Sequence, residues 1–291
     1  AQLAVRWPPS PSLRPRRRPR CWFSGSVRTV PSRPRRTTRR ARSSLRTYTA
    51  TWLSMGIIQL RCRVGTPANQ RTSVIVDTGS RLVGFPCTGC EHCGSHIDKA
   101  FDFSRSSSAS WVGCESDTSC STGCVEGHCA YSETYSEGSS VSGYFFEDDI
   151  ELGDLEQKNP AVKVRLGCHM KENRLFYSQR ANGIMGLAPG GLGDTGSPTI
   201  LTQLFADKQH VKTSIFSMCL SEWGGRLTVG GYNGTSHRKG GEIQWVRLRP
   251  AHYHFVFPVG LTVGPVKDPE GEAVAWGQRN LGVTIVDSGT T

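Results

Sequence analysis

Val74-Ile75-Val76-Asp77-Thr78-Gly79-Ser80 decides the fold, because the chain repeats its pattern near the C-terminal end as Val283-Thr284-Ile285-Val286-Asp287-Ser288-Gly289-Thr290. Each copy is a β-branched apolar run of the kind that forms a buried strand, followed by an acidic residue, a hydroxyl residue and a glycine. Each therefore delivers one carboxylate to the end of a strand on a tight turn that glycine permits. A single Asp-Thr-Gly carries little weight, since an Asp in a strand-ending turn is ordinarily a turn residue. Two copies in matching strands predict two carboxylates brought face to face.

That pairing points to acid–base chemistry. Carboxylates about 3 Å apart cannot both ionise, so Asp77 and Asp287 are expected to share one proton and to titrate as a pair. The ionised partner would take a proton from a water held between them. That water would attack a peptide carbonyl while the protonated partner supplies the developing oxyanion, with no covalent intermediate, metal or cofactor. Gly79 and Gly289 would let backbone N–H groups approach the carboxylates. The Thr78 and Ser288 hydroxyls would bond across the approximate twofold axis, and Ser80 and Thr290 would each reach the outer oxygen of the neighbouring Asp.

Charge is unevenly spread. The net charge of +11 belongs to residues 1–50, which hold 14 Arg, seven Pro and no Lys, Asp or Glu, whereas the remainder has 21 basic and 24 acidic residues. So basic and apolar-poor a segment is expected to be a disordered tail. No aromatic platform or base-reading motif accompanies the arginines, so nucleic acid is not the expected partner. Residues 1–50 contain no apolar run of signal-peptide length, and no stretch of about 18 apolar residues is present to span a membrane.

Seven of the 11 cysteines, Cys87, Cys90, Cys93, Cys114, Cys120, Cys124 and Cys129, crowd into a Gly- and Ser-rich stretch in which a hydrophobic core could hardly form. Disulfides are expected to hold it, which implies an oxidising compartment. Zinc is the rival, because Cys87, Cys90 and Cys93 have ligand-like spacing. Seven is odd, and Cys168 is the candidate eighth partner; eight cysteines allow 105 connectivities, among which the sequence does not choose. An odd total leaves at least one thiol unpaired within the chain. The sequon Asn233-Gly234-Thr235 fits secretion.

From Ile57 onward, short β-rich runs alternate with Gly, Pro, Asn and Ser, which predicts a mostly-β protein. Trp52–Leu60 reads as a first strand, followed by strands over 58–64, 73–76, 82–86, 141–152, 161–169, 183–187, 215–221, 225–231 and 254–263. Tyr131–Gly143 reads as a hairpin with Glu137-Gly138-Ser139 at its tip. One helix is expected over Pro198–Phe205, capped by Ser197.

Phe85-Pro86-Cys87-Thr88-Gly89-Cys90-Glu91-His92-Cys93-Gly94, Tyr135-Ser136-Glu137-Gly138-Ser139 and Leu166-Gly167-Cys168-His169-Met170 resemble the apicomplexan aspartic proteases of the plasmepsin V type. The similarity runs from about residue 56 to the C-terminus. It implies a pepsin-like bilobal fold, with Asp77 and Asp287 as the catalytic aspartates, Tyr135 as the tyrosine of a substrate-covering flap, and Gly183–Gly186 as a strand threading the Asp77 loop. It further implies cleavage of secretory-pathway proteins after an Arg-x-Leu motif, with Glu137 and Gln179 binding the arginine. A carboxylate opposite a guanidinium is a charge-assisted pair able to favour Arg over an apolar residue. Two positions depart from the family: Ser136 replaces an unpaired flap cysteine, and Arg81 replaces a small residue.

The expectation is thus a mostly-β aspartic endopeptidase with a basic tail over 1–50, an N-terminal lobe over 56–195 carrying the disulfide-rich insert, and a truncated C-terminal lobe over 196–291. A monomer of the endoplasmic reticulum or Golgi is expected, acting on protein or peptide substrates. Any membrane anchor, like the strand that would thread the Asp287 loop, is expected to lie beyond Thr291, leaving the present chain a fragment inactive alone. The alternative is a catalytically silent pepsin-like binding protein, although such proteins usually lose one Asp. A homodimeric protease would need only one motif per chain.

Overall fold

The computed structural model describes residues 46–52, 58–67, 69–115, 120, 123–153, 159–190, 198–221, 224–232, 245–248, 252–258, 260–263, 274–277 and 281–289. Strands β1 (Arg46–Trp52), β2 (Ile58–Val64), β3 (Gln70–Asp77) and β4 (Val83–Pro86) are followed by the short β5 (Ser110–Trp111) and β6 (Cys124–Val125). Next come β7 (His128–Thr134), β8 (Ser140–Leu152), β9 (Val162–Glu172), helix α1 (Arg174–Ser178), β10 (Gly183–Gly186) and helix α2 (Ile200–Ala206). Strands β11 (Phe216–Ser221), β12 (Gly224–Val229), β13 (Phe255–Val256), β14 (Gly260–Val263), β15 (Val274–Gly277) and β16 (Thr284–Ile285) complete the described elements.

Twelve of these strands form one sheet, ordered β11-β12-β1-β2-β3-β10-β4-β9-β8-β7-β6, with β5 attached to β8. Strand β2 also pairs with the far end of β8, at Cys62↔Leu152 and Val64↔Ile150, so six strands close into a ring and lose their edges. Leu60, Val64, Val74, Val76, Phe85, Phe146, Ile150, Leu166 and Met185 fill its interior. The side chains between them point outward into a second cluster of Ile75, Leu82, Tyr131, Val141, Phe176 and Ile184. Both faces of β3 and β10 are therefore covered, which is why these strands read as continuous apolar runs rather than alternating ones.

The eight insert-related cysteines pair as Cys87–Cys168, Cys90–Cys93, Cys114–Cys124 and Cys120–Cys129. These cystines use up the sulfurs that the zinc reading requires, while Cys62 is a free, buried thiol. Disulfides do not act alone in the insert. Phe101 stacks on Phe146 at 5.2 Å and Phe103 on Trp111 at 4.2 Å, so an aromatic cluster also ties the insert to the barrel.

Other expectations need correction. The basic tail was drawn to residue 50, but Arg46–Ala50 belong to β1 and pair with Gly225–Val229 of β12. The first described strand is accordingly Arg46–Trp52, and Ile58–Leu60 belong to β2, while residues 53–57 of the expected Trp52–Leu60 strand lie outside the described residues. Helix α2 starts two residues late because Thr199 caps it, accepting from the Thr202 N–H, whereas Ser197 lies outside the described residues. Helix α1 was not anticipated, being a five-residue turn without side-chain capping. The strand expected over 254–263 is two, Phe255–Val256 and Gly260–Val263. The sequon at Asn233 also lies outside the described residues.

Candidate active site

Strand β3 carries Asp77 to the barrel's end, and β10 passes beside it in parallel register, Met185 beside Val76 and Gly186 beside Asp77. The Asp77–Leu82 loop wraps this strand: Leu187 N–H donates to the Asp77 carbonyl at 2.6 Å, Ala188 N–H to Ser80 at 2.9 Å, and Gly186 N–H to Leu82 at 2.8 Å. Only glycine fits at 186, because a Cβ there would lie 2.5 Å from the Ser80 carbonyl oxygen and the Arg81 carbonyl carbon.

The second turn meets the first in reciprocal fashion. Thr78 N–H donates to Ser288 Oγ at 3.1 Å, and Ser288 N–H donates to Thr78 Oγ1 at 2.9 Å. The Thr78 hydroxyl then donates to the Val286 carbonyl at 2.9 Å, and the Ser288 hydroxyl to Val76 at 2.8 Å. Within each turn the glycine N–H holds its own carboxylate, Gly79 on Asp77 at 2.7 Å and Gly289 on Asp287 at 2.9 Å. The glycines are required across the axis as well: a Cβ on Gly79 would sit 2.7 Å from the Asp287 carboxylate, and one on Gly289 would collide with that of Asp77. These four hydrogen bonds across the axis make the two motifs one rigid unit.

The two carboxylates are not equivalent. Asp77 is 5% exposed, whereas Asp287 is exposed. Burial above all, and then the Asp287 side chain, push the Asp77 carboxyl up to about 6 against the pull of the Ser80 hydroxyl and the Gly79 N–H. The Ser80 hydroxyl polarises both Asp77 and the Tyr135 phenol without completing a well-aligned hydrogen bond to either. Thr290 lies outside the described residues.

One connection had no signal in the sequence. Leu187, bonded through its N–H to Asp77, accepts on its carbonyl from His254 Nε2 at 2.9 Å, and the His254 carbonyl accepts from Val286 N–H at 3.0 Å. A single buried histidine thus links the supports of both aspartates. Burial lowers its pKa, and the Leu187 carbonyl requires the proton on Nε2.

Tyr135-Ser136-Glu137-Gly138-Ser139 forms the turn between β7 and β8, closed by Tyr135 N–H on Ser139 and Gly138 N–H on Tyr135, both 2.9 Å. The Tyr135 ring lies 4.9 Å from Phe176 of α1, and burial followed by the Asp77 charge raises its phenol above the usual range. Glu137 is exposed at the tip, accepts from the Ser139 hydroxyl, and makes no hydrogen bond to Gln179. Ser136 and Arg81 are both exposed. Gln179 ends α1 and is buried; its N–H donates to Leu175 at 2.8 Å, and its Nε2 finds no partner among the described residues.

Beneath this turn lies a second unforeseen group. Glu172 at the end of β9 accepts from His169 Nδ1 at 2.8 Å through one oxygen and from His96 Nε2 at 3.0 Å through the other. The other nitrogen of His96, Nδ1, faces the Gln179 carbonyl at 3.0 Å. Histidines and a glutamate scattered over 77 positions carry no motif, so only the tertiary fold reveals them.

A closed mostly-β barrel bearing one of two interlocked Asp-hydroxyl-Gly turns defines the pepsin-like class of proteins. A family profile described as "Xylanase inhibitor N-terminal" matches residues 59–231, and the chain belongs to that family. It is similar to Aspartic protease 5 of Toxoplasma gondii, 44% identical over 189 residues that make up 59% of this chain and 19% of the relative. Plasmepsin V of Plasmodium falciparum is 38% identical over 175 residues, 58% of this chain and 28% of the relative. Aspartic proteinase 36 of Arabidopsis thaliana is 30% identical over 258 residues, 82% of this chain and 50% of the relative. The chain therefore spans from about a fifth to half of the length of these relatives.

Proposed function

We propose that the protein is an aspartic endopeptidase in which Asp77 and Asp287 activate a water between them. The observation that carries this reading is the reciprocal bonding of Thr78 and Ser288, which fixes the two carboxylate turns against one another before substrate arrives. The two carboxylates share one proton, which leaves one of them as the base and the other as the acid. The ionised aspartate takes a proton from the water, whose oxygen bonds to the peptide carbonyl carbon while the protonated aspartate gives its proton to the carbonyl oxygen. Collapse of the tetrahedral intermediate then breaks the C–N bond: the proton gained from water passes to the leaving amine, and a hydroxyl proton of the diol returns to the aspartate that acted as acid. Tyr135, apolar on one side and close to Ser80 on the other, covers the cleft.

We extend the reading to substrates bearing an Arg-x-Leu motif, with Glu137 and Gln179 on the arginine. The exposed Glu137 carboxylate, an acceptor for guanidinium N–H groups, supports it. The four disulfides among the described residues favour an oxidising compartment, and we place the protein in the secretory pathway as an anchored monomer with an N-terminal lobe over 56–195 and a second lobe after it. No helix among the described residues is long and apolar enough to cross a membrane. Peptide hydrolysis by the full-length protein tests the first claim: Asp77→Ala and Asp287→Ala should each abolish it, and retained turnover in either would refute it. For the second, the Arg-x-Leu over Lys-x-Leu preference in kcat/KM should shrink in Glu137→Ala, and an unchanged ratio would rule that role out.

A further inference from the structure

The mechanism leaves unused the buried group formed by His96, Glu172 and His169. Their side chains are 4%, 0% and 0% exposed, so the hydrogen bonds among them have no solvent to substitute for a missing proton. Proton bookkeeping follows from geometry. His96 places Nδ1 against a backbone carbonyl at 3.0 Å and Nε2 against a carboxylate oxygen at 3.0 Å. Both partners are acceptors, so both ring nitrogens must carry protons, and His96 is an imidazolium whenever Glu172 is ionised. His169 needs only its Nδ1 proton, because its Nε2 is wedged against β4, where a Cβ on Gly84 would lie 2.6 Å away. The cation therefore sits on His96, at the end of the group that touches Gln179.

We propose that His96 and Glu172 are positioning residues: the His96 imidazolium, anchored by Glu172, braces the Gln179 carbonyl, and loss of its proton frees the segment that faces the substrate. The consequence for specificity rests on the Gln179 reading above; the brace itself does not. Further contacts of this segment run through the same loop, as Ile97 N–H donates to the Arg180 carbonyl at 2.9 Å and Asp98 N–H to Asn182 Oδ1 at 3.0 Å. The charged and titratable groups facing the pair are Glu172 and His169 from β9, with Tyr131 of β7 beyond them, its ring 6.2 Å from that of His169. The Glu172 charge, aided by the carbonyls of Gln179 and Ala181, outweighs burial and raises His96 above its ordinary value, while burial lowers His169. A raised histidine keeps the brace complete on the acid side and loses it as pH rises through the raised value, so the segment loosens toward alkaline pH.

The test uses the full-length protein. Hydrogen-exchange protection of the Ile97 and Gln179 amides should fall by about tenfold as pH crosses the His96 titration, the loss of one charge-assisted bond. Glu172→Gln should abolish that pH dependence while retaining the protection. A carboxamide N–H donates to a neutral His96, which still bonds the Gln179 carbonyl, and the carboxamide oxygen still accepts from His169. His96→Phe should be poorly protected at every pH. A pH-independent wild type, or a Glu172→Gln variant that keeps the wild-type pH profile, would overturn the brace. In a parallel assay, the Arg-x-Leu over Lys-x-Leu preference should follow the same pH profile in wild type and be flat in Glu172→Gln. Gln179→Ala separates the two claims: an unchanged preference in that variant refutes the arginine reading alone, whereas exchange at Ile97 decides the brace independently of any substrate.

Discussion

Asp77→Asn should stabilise the fold at neutral pH while abolishing turnover. An ionised carboxylate that is 5% exposed and faces a second carboxylate is costly, and the structure sets the size of that cost. Holding the Asp77 carboxyl at about 6 instead of 3.8 makes its ionisation about 3 kcal/mol less favourable in the folded chain than in the unfolded one. The sign follows from proton binding. Between those two values the folded chain binds the proton that the unfolded chain has released, so wild-type stability falls as pH rises and is level again above about 6. Asparagine does not titrate, and its oxygen still accepts from the Gly79 N–H that now holds Asp77 at 2.7 Å. Denaturant unfolding of the full-length protein should therefore find wild type and Asp77→Asn matched within about 1 kcal/mol near pH 3.5, and the variant ahead by about 3 kcal/mol near pH 7.5. A stability difference that is the same at both pH values would refute the account of a buried, charge-opposed carboxyl.

Thr78→Val removes the hydroxyl that donates to Val286 and accepts from Ser288, at about 1–3 kcal/mol for each group left unpaired, and should lower kcat more than it raises KM; steady-state kinetics check this. Gly186→Ala should destabilise by about 1–3 kcal/mol or more and displace the Asp77 turn, since the added carbon meets backbone at 2.5 Å; thermal melts and residual activity measure it. Removing Cys87–Cys168, which closes a separation of 81 residues, should cost about 4–5 kcal/mol, against about 1.5 kcal/mol for Cys90–Cys93 at a separation of 3. Paired Cys→Ala variants compared by chemical denaturation give the ranking, and equal losses would count against the chain-entropy account.

The strand expected over 58–64 matches β2 residue for residue, and those over 73–76, 141–152 and 183–187 fall within a few residues of β3, β8 and β10. They were legible because burial on one or both faces writes itself as a β-branched run, and because glycine marks where a side chain cannot fit. Expectations slipped where the determinant is not local. Strand β1 is stabilised by pairing with β12 more than 170 residues away, which a basic, proline-rich neighbourhood conceals. Helix α1 is too short to show a periodic signal, and the strand over 254–263 breaks because its two halves pair with different partners, β16 and β15.

By itself, then, the sequence determined that two strand-ending aspartates exist, each with a hydroxyl and a glycine behind it, within a disulfide-rich β protein. Covalent order and residue type suffice for that, since strand burial and turn chemistry are properties of a few adjacent residues. Tertiary structure alone decided which aspartate is buried, which cysteines meet, how His254 joins the two supports, and that His96 and Glu172 stand beneath Gln179. Each of these depends on distances between segments far apart in the chain, where proton affinity and hydrogen-bond choice are set by whatever the folded barrel brings alongside.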